Sequence, residues 1–70
     1  MEKILAPIPG NIVNLAVKEG QQVKAGKKIL ILEALKMQNE IFCEEEGTVK
    51  EILVNEGAKV KAGQILVVIE

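Results

Sequence analysis

The residues of this chain that could do chemistry are quickly sorted. It has no histidine, which removes a His-based triad and a His metal site. Its one cysteine, Cys43, has no partner for an internal disulfide. Nothing near it in sequence marks a reactive thiolate, so it reads as a small buried hydrophobe. What remains is Lys36, in the stretch Glu33-Ala34-Leu35-Lys36-Met37. A primary amine is a nucleophile once its proton is removed. An ordinary lysine has a pKa of about 10.4, so roughly one in two thousand is neutral at pH 7. Any use of that amine as a nucleophile therefore needs a base to take the proton. No nucleophile–base pair is available, so the chain is not expected to be a catalyst by itself.

The elements that position Lys36 follow from an internal repeat. Gly10, Gly20 and Gly26 match Gly47, Gly57 and Gly63 at one constant offset of 37, and no glycine is left over. The same offset pairs Val17 with Val54, Glu19 with Glu56, Val23 with Val60, Lys24 with Lys61, Ala25 with Ala62 and Glu33 with Glu70. The chain reads as two copies of one supersecondary unit, about 10–33 and 47–70. β-Branched residues dominate each copy and glycines cut it into short runs, the pattern of strands. "KEGQQVKAG" and "NEGAKVKAG" each predict a turn, a short strand at Val23 or Val60, and a second turn whose glycine supplies positive φ. Apolar residues at 12, 15 and 17, and again at 49, 52 and 54, break strand parity at the same place in both copies. That predicts a β-bulge in each. Pro7 and Pro9 fit a chain entering at a sheet edge.

Two four-stranded units with apolar inner faces are expected to cover one another. The fold class is all-β, a flattened eight-stranded barrel or sandwich with approximate two-fold symmetry. The runs Ile29-Leu30-Ile31-Leu32 and Leu66-Val67-Val68-Ile69 do not alternate with polar residues. Alternate side chains there are expected to point outward, and the Ile29–Leu32 row is the first candidate docking surface. Lys36 falls between the copies, in a hairpin over 33–40 whose turn is Ala34-Leu35-Lys36-Met37. Most lysines at turns are merely solvated. Here Leu35 and Met37 put an apolar rim where water should reach, which suggests that something docks. No Gly, Asn, Asp or Pro shapes the turn, so turn chemistry does not explain these residues.

Composition narrows the class further. With 70 residues the chain is one domain at most, 1–70. Hydrophobic residues make up 49%, which offsets the poor burial of so short a chain. One aromatic, Phe42, gives no stacking platform, and a net charge of −1 gives no basic stripe; nucleic acid is not an expected partner. The run Ile65–Ile69 is too short to span a bilayer, so direct membrane insertion is not expected. A free thiol and no secretory leader point to a reducing, cytoplasmic setting.

At this point the chain resembles the biotinyl domain of biotin-dependent carboxylases, decarboxylases and transcarboxylase, within the biotinyl/lipoyl attachment family. "APIPGNIVNLAVKEGQQVKAG" is similar to the family's opening half, "LILEALKMQNEI" to its attachment hairpin, and "GTVKEILVNEGAKVKAGQILVVIE" to its closing half. The family's motif, usually written AMKM, falls on Ala34-Leu35-Lys36-Met37. The resemblance implies covalent biotin on Lys36, with Glu33, Ala34, Leu35, Met37 and Glu40 as candidates for recognition by a ligase or partner. It implies no catalytic residue and no metal ligand. It implies a carrier that moves a carboxyl group between the carboxylation site and the transfer or decarboxylation site of a larger enzyme. The implied partners are a biotin protein ligase and biotin carboxylase, carboxyltransferase or decarboxylase subunits, the carrier being a monomer in isolation. Leu35 departs from the usual methionine, and Cys43-Glu44 departs from the Ala6-Pro7 pair of the first half. Glu19-Gly20-Gln21-Gln22 leaves no room for the "thumb" of many acetyl-CoA carboxylase carriers. The absence of a Pro/Ala-rich linker is read as either an excised domain or a stand-alone carrier. Two rivals stay open: a lipoyl carrier, whose lysine usually follows Asp, and an unmodified barrel-sandwich module for protein contacts.

Overall fold

The computed structural model describes residues Met1–Glu70 and contains eight strands. These are β1 (Glu2–Leu5), β2 (Gly10–Leu15), β3 (Gln22–Val23), β4 (Lys28–Ala34), β5 (Met37–Phe42), β6 (Gly47–Ile52), β7 (Lys59–Val60) and β8 (Ile65–Ile69). They form two four-stranded sheets, ordered β1-β8-β6-β3 and β5-β4-β2-β7, in an all-β barrel-sandwich. No helix is long and apolar enough to cross a membrane.

The two halves do not form one sheet each, as the sequence suggested. Each sheet takes β2 and β4, or β6 and β8, from one half and the odd-numbered strands from the other. The short strands cannot stand alone. β3 has two residues and pairs only with β6, while β7 pairs only with β2. A two-residue strand gains enough hydrogen bonds only by joining a sheet that already exists. Interleaving also places both sheets around one core of 15 buried apolar residues, and no polar side chain is buried.

The bulges lie where strand parity breaks. Pairing of β2 with β4 slips between Ile12 and Asn14, and pairing of β6 with β8 slips between Val49 and Glu51. Near each bulge a carboxylate takes up a backbone donor from the other half. Leu15 N–H donates to Glu56 Oε2 at 2.9 Å, and Ile52 N–H to Glu19 Oε2 at 3.0 Å. The expected turns also form with positive φ, at Gly26 (+89°) and Gly63 (+83°).

The expected outward row on Ile29–Leu32 is absent. Ile29, Leu30 and Leu32 are fully buried, and only Ile31 reaches the outer face. The reason is a further irregularity, between Lys28 and Leu30 in the β4–β5 pairing. It turns two successive side chains inward, so an unalternating apolar run ends up in the core. Leu66 and Val67 do the same in β8. Cys43, as expected, is buried; its thiol lies 3.1 Å from the Lys24 carbonyl.

Candidate functional site

β4 and β5 make a hairpin of six paired positions, from Lys28 opposite Phe42 to Ala34 opposite Met37. Only Leu35 and Lys36 remain for the turn, and both have positive φ, +54° and +64°. Positive φ at both central residues is the mark of a type I′ turn, whose twist matches the strands it joins. Glycine or asparagine normally fills such places. For other L-residues the left-handed region costs about 1–2 kcal/mol each. Strain of this kind persists only where surrounding structure imposes it. Here the paired strands impose it, helped by Asn39, whose Nδ2 donates to the Leu32 carbonyl at 3.3 Å and reaches the Met37 carbonyl at 3.5 Å.

The result is an amine at a projecting tip. Lys36 is exposed, Leu35 is 90% exposed and Met37 64% exposed. Ala34 beneath them is buried, which anchors the turn to the body. Glu33 is half-buried and sits one pair below the tip, opposite Gln38. Glu40 is elsewhere: it lies opposite Ile31, three pairs from the tip, and its carboxylate is 3.8 Å from the Lys28 ammonium. Glu33, Ala34, Leu35 and Lys36 therefore come together, Met37 flanks them, and Glu40 belongs to the middle of the hairpin.

Three neighbours of the tip were not read from the sequence as site residues. Pro9, Gly10 and Asn11 run beside β4, with Asn11 opposite Glu33, and with the tip residues they enclose a groove of about 380 Å³. Gly10 makes the approach tight, because a Cβ there would run into the Glu33 carbonyl oxygen. Its place in the glycine repeat was the available signal; that it abuts Glu33 depends on sheet order. No group of three or more His, Cys, Asp or Glu side chains is placed to hold a metal ion.

The hairpin is about 17 Å long at roughly 3.4 Å per residue, and both chain ends lie near its base. Glu44 N–H and Glu45 N–H, just past β5, donate to the Glu2 carboxylate at 3.0 Å. Glu2 is in turn paired with Ile69. What the arrangement can do chemically is present one primary amine, apolar on either side, at the end opposite the chain termini.

Known proteins share this fold. Residues 2–69 match the biotin/lipoyl family described as "Biotin-requiring enzyme". The chain is 52% identical to methylmalonyl-CoA decarboxylase subunit gamma of Veillonella parvula over 48 residues, 69% of this chain and 37% of that one. It is 58% identical to glutaconyl-CoA decarboxylase subunit gamma of Acidaminococcus fermentans over 38 residues, 54% of this chain and 26% of that one. These matches span little more than a third of the relatives' length at most. Among solved structures, Kluyveromyces lactis urea carboxylase superposes with a TM-score of 0.91 at 29% identity, over 99% of this chain and 6% of that one. The lipoyl domain of the Azotobacter vinelandii 2-oxoglutarate dehydrogenase complex superposes at 0.79 with 31% identity, over 89% of this chain and 78% of that one. With its all-β sandwich and its lysine-tipped hairpin, the chain belongs to the biotin/lipoyl attachment family, among the biotin carrier domains of biotin-dependent carboxylases and decarboxylases.

Proposed function

We propose that Lys36 carries biotin as an amide and that the domain moves a carboxyl group between two active sites of a biotin-dependent enzyme. One observation carries this reading. Lys36 stands in a two-residue turn between exposed Leu35 and Met37, where nothing in the fold requires an apolar rim. The residues fit the group. The amine is accessible, so its Nζ can attack the acyl carbon of a biotin acyl-adenylate held on a separate ligase; the C–N bond forms as the C–O bond to the adenylate breaks, AMP leaves, and the ligase takes the amine's proton. Leu35 and Met37 offer that ligase an apolar grip, and Glu33 a carboxylate beside it. When bound, biotin supplies the ureido nitrogen that holds and releases carboxylate, and the protein supplies position. Tethering raises the local concentration of the cofactor at each site it visits.

The partners in this reading are a biotin protein ligase and carboxylase, carboxyltransferase or decarboxylase components, with a monomeric, non-catalytic carrier working in the cytoplasm. The named functions of the relatives support it, since subunits of methylmalonyl-CoA and glutaconyl-CoA decarboxylases are among the similar proteins. The likeness to a lipoyl domain keeps a second reading in view. The test is the intact mass of the protein after co-expression with a biotin ligase and free biotin, beside Lys36→Arg. One added biotinyl group, lost in the variant, is the expected result. No added mass with biotin ligase, but one lipoyl group with a lipoate ligase, would replace this reading by the second.

A further inference from the structure

The two ends of the molecule are built alike, and the differences between them point to a bound group. Gly10 and Gly47 hold equivalent places. A Cβ at Gly10 would strike the Glu33 carbonyl oxygen, and one at Gly47 would come within 2.7 Å of the Glu70 carbonyl oxygen. A groove opens beside each, on the β3 side of β6 at Gly47 and on the β4 side of β2 at Gly10. At the base, the groove beside Gly47 has Val23 as its one hydrophobic residue, among Gln22, Lys24, Glu46 and Thr48. At the tip, Pro9 stands where Glu46 does in the repeat and Asn11 where Thr48 does, while Glu33, Ala34, Leu35 and Lys36 make the other wall.

The carboxylates differ as well. Glu70, at the base, is held by Lys50 at 2.8 Å. That contact pulls the Glu70 carboxyl below the usual range and raises the Lys50 amine. Glu33, its counterpart at the tip, has no such partner, because Val13 stands where Lys50 stands in the other half. The Glu33 carboxylate and the Asn11 side-chain amide make no hydrogen bond or ion pair, yet they line one groove from paired positions on β4 and β2. An acceptor and a donor, both unengaged, border this groove, with Ala34 and Leu35 as its apolar patch and Lys36 on its wall.

We propose that this groove seats the fused ring of a biotin carried on Lys36, an inference that rests on the biotin-carrier reading above. The ureido edge of that ring has two N–H donors and one carbonyl acceptor. Glu33 takes an N–H, and the Asn11 amide donates to the carbonyl. The apolar side of the ring lies against Pro9, Ala34 and Leu35. Lys36 lines the groove itself, so the arm delivers the ring by folding back along the hairpin. Asn11, Leu35 and Lys36 are exposed, so the seat is shallow and the ring leaves it readily for a partner's site. A lipoyl dithiolane has no ureido edge and would find no use for the Asn11–Glu33 pair.

The test uses the whole chain, loaded on Lys36 by a biotin ligase and checked by intact mass. Nuclear Overhauser contacts are then recorded between the ring protons and the protein. Contacts to Pro9 and Ala34 are expected, and Asn11→Ala and Glu33→Gln should each weaken or remove them while leaving the amide spectrum folded. Full loading with ring contacts confined to Leu35–Met37, or contacts to Pro9 that neither variant changes, would overturn the seat and leave the carrier reading standing. Failure of the mass to rise would remove both. Asn11→Ala is the cleaner variant, since Asn11 has no part in the proposed ligase grip.

Discussion

At the scale of single residues, the tip is held in a costly conformation for the sake of what it presents. Leu35 contributes no burial, and its φ of +54° belongs to glycine and asparagine. Leu35→Gly should therefore stabilise the protein. Relief of about 1–2 kcal/mol of left-handed strain is reduced by about 0.4–1 kcal/mol of added freedom in the unfolded chain. A net gain of about 0.5–1 kcal/mol is expected, a few degrees in Tm for so small a protein. Leu35→Ala keeps the Cβ and should show no such gain, so thermal unfolding of the pair separates strain from side-chain size. A Leu35→Gly melting temperature equal to that of Leu35→Ala would show that the turn is unstrained. The same substitution should slow biotinylation, because the rim is halved. The exposed lysine was legible in the sequence from the break between two apolar runs. The twin positive φ values were not, because neither Leu nor Lys announces a left-handed backbone.

At the scale of elements, the strands and their flaws were readable because β-branched runs, glycine spacing and parity are local properties. The paired bulges after Ile12 and Val49 are the clearest instance. The inward turn of both Ile29 and Leu30 was not readable, since the irregularity behind it depends on how β4 aligns with β5. The shelf beside the tip is likewise a matter of neighbours. Gly10 is chosen for space, with the Glu33 carbonyl where a side chain would start and Ala34 Cβ and Leu32 Cδ1 each 3.1 Å away. Backbone oxygen cannot move aside as a flexible side chain can. Gly10→Ala should push β2 away from β4, with the cost of overpacking, about 1–3 kcal/mol. Urea denaturation gives the magnitude. Amide shifts should spread along Glu33 and Ala34 towards the tip, whereas shifts confined to Gly10 and its sequence neighbours would show that the shelf has slack.

At the scale of the whole molecule, the interleaved sheets join the two halves into one body about 31 Å long and 19 × 18 Å across. β1 pairs only with β8, β3 only with β6, and β7 only with β2, so each of these pairings crosses between halves. The two Glu-to-backbone contacts, Glu56 to Leu15 and Glu19 to Ile52, cross as well. A half taken alone would keep at best a β2–β4 or β6–β8 pair, with one face of its apolar residues in water. A lone two-stranded pair is marginal in water. Peptides 1–35 and 37–70 should therefore each be unfolded by circular dichroism and amide dispersion, and the intact chain should unfold in a single transition. Native-like dispersion in either peptide would mean that a half is stable before its strands are exchanged. The cooperativity bears directly on function. Under the proposed function, Lys36 has to be held at a fixed place on a rigid body. With the halves locked through each other's sheets, the hairpin is anchored to that body, and only its two-residue turn, Leu35 and Lys36, stands outside the paired strands.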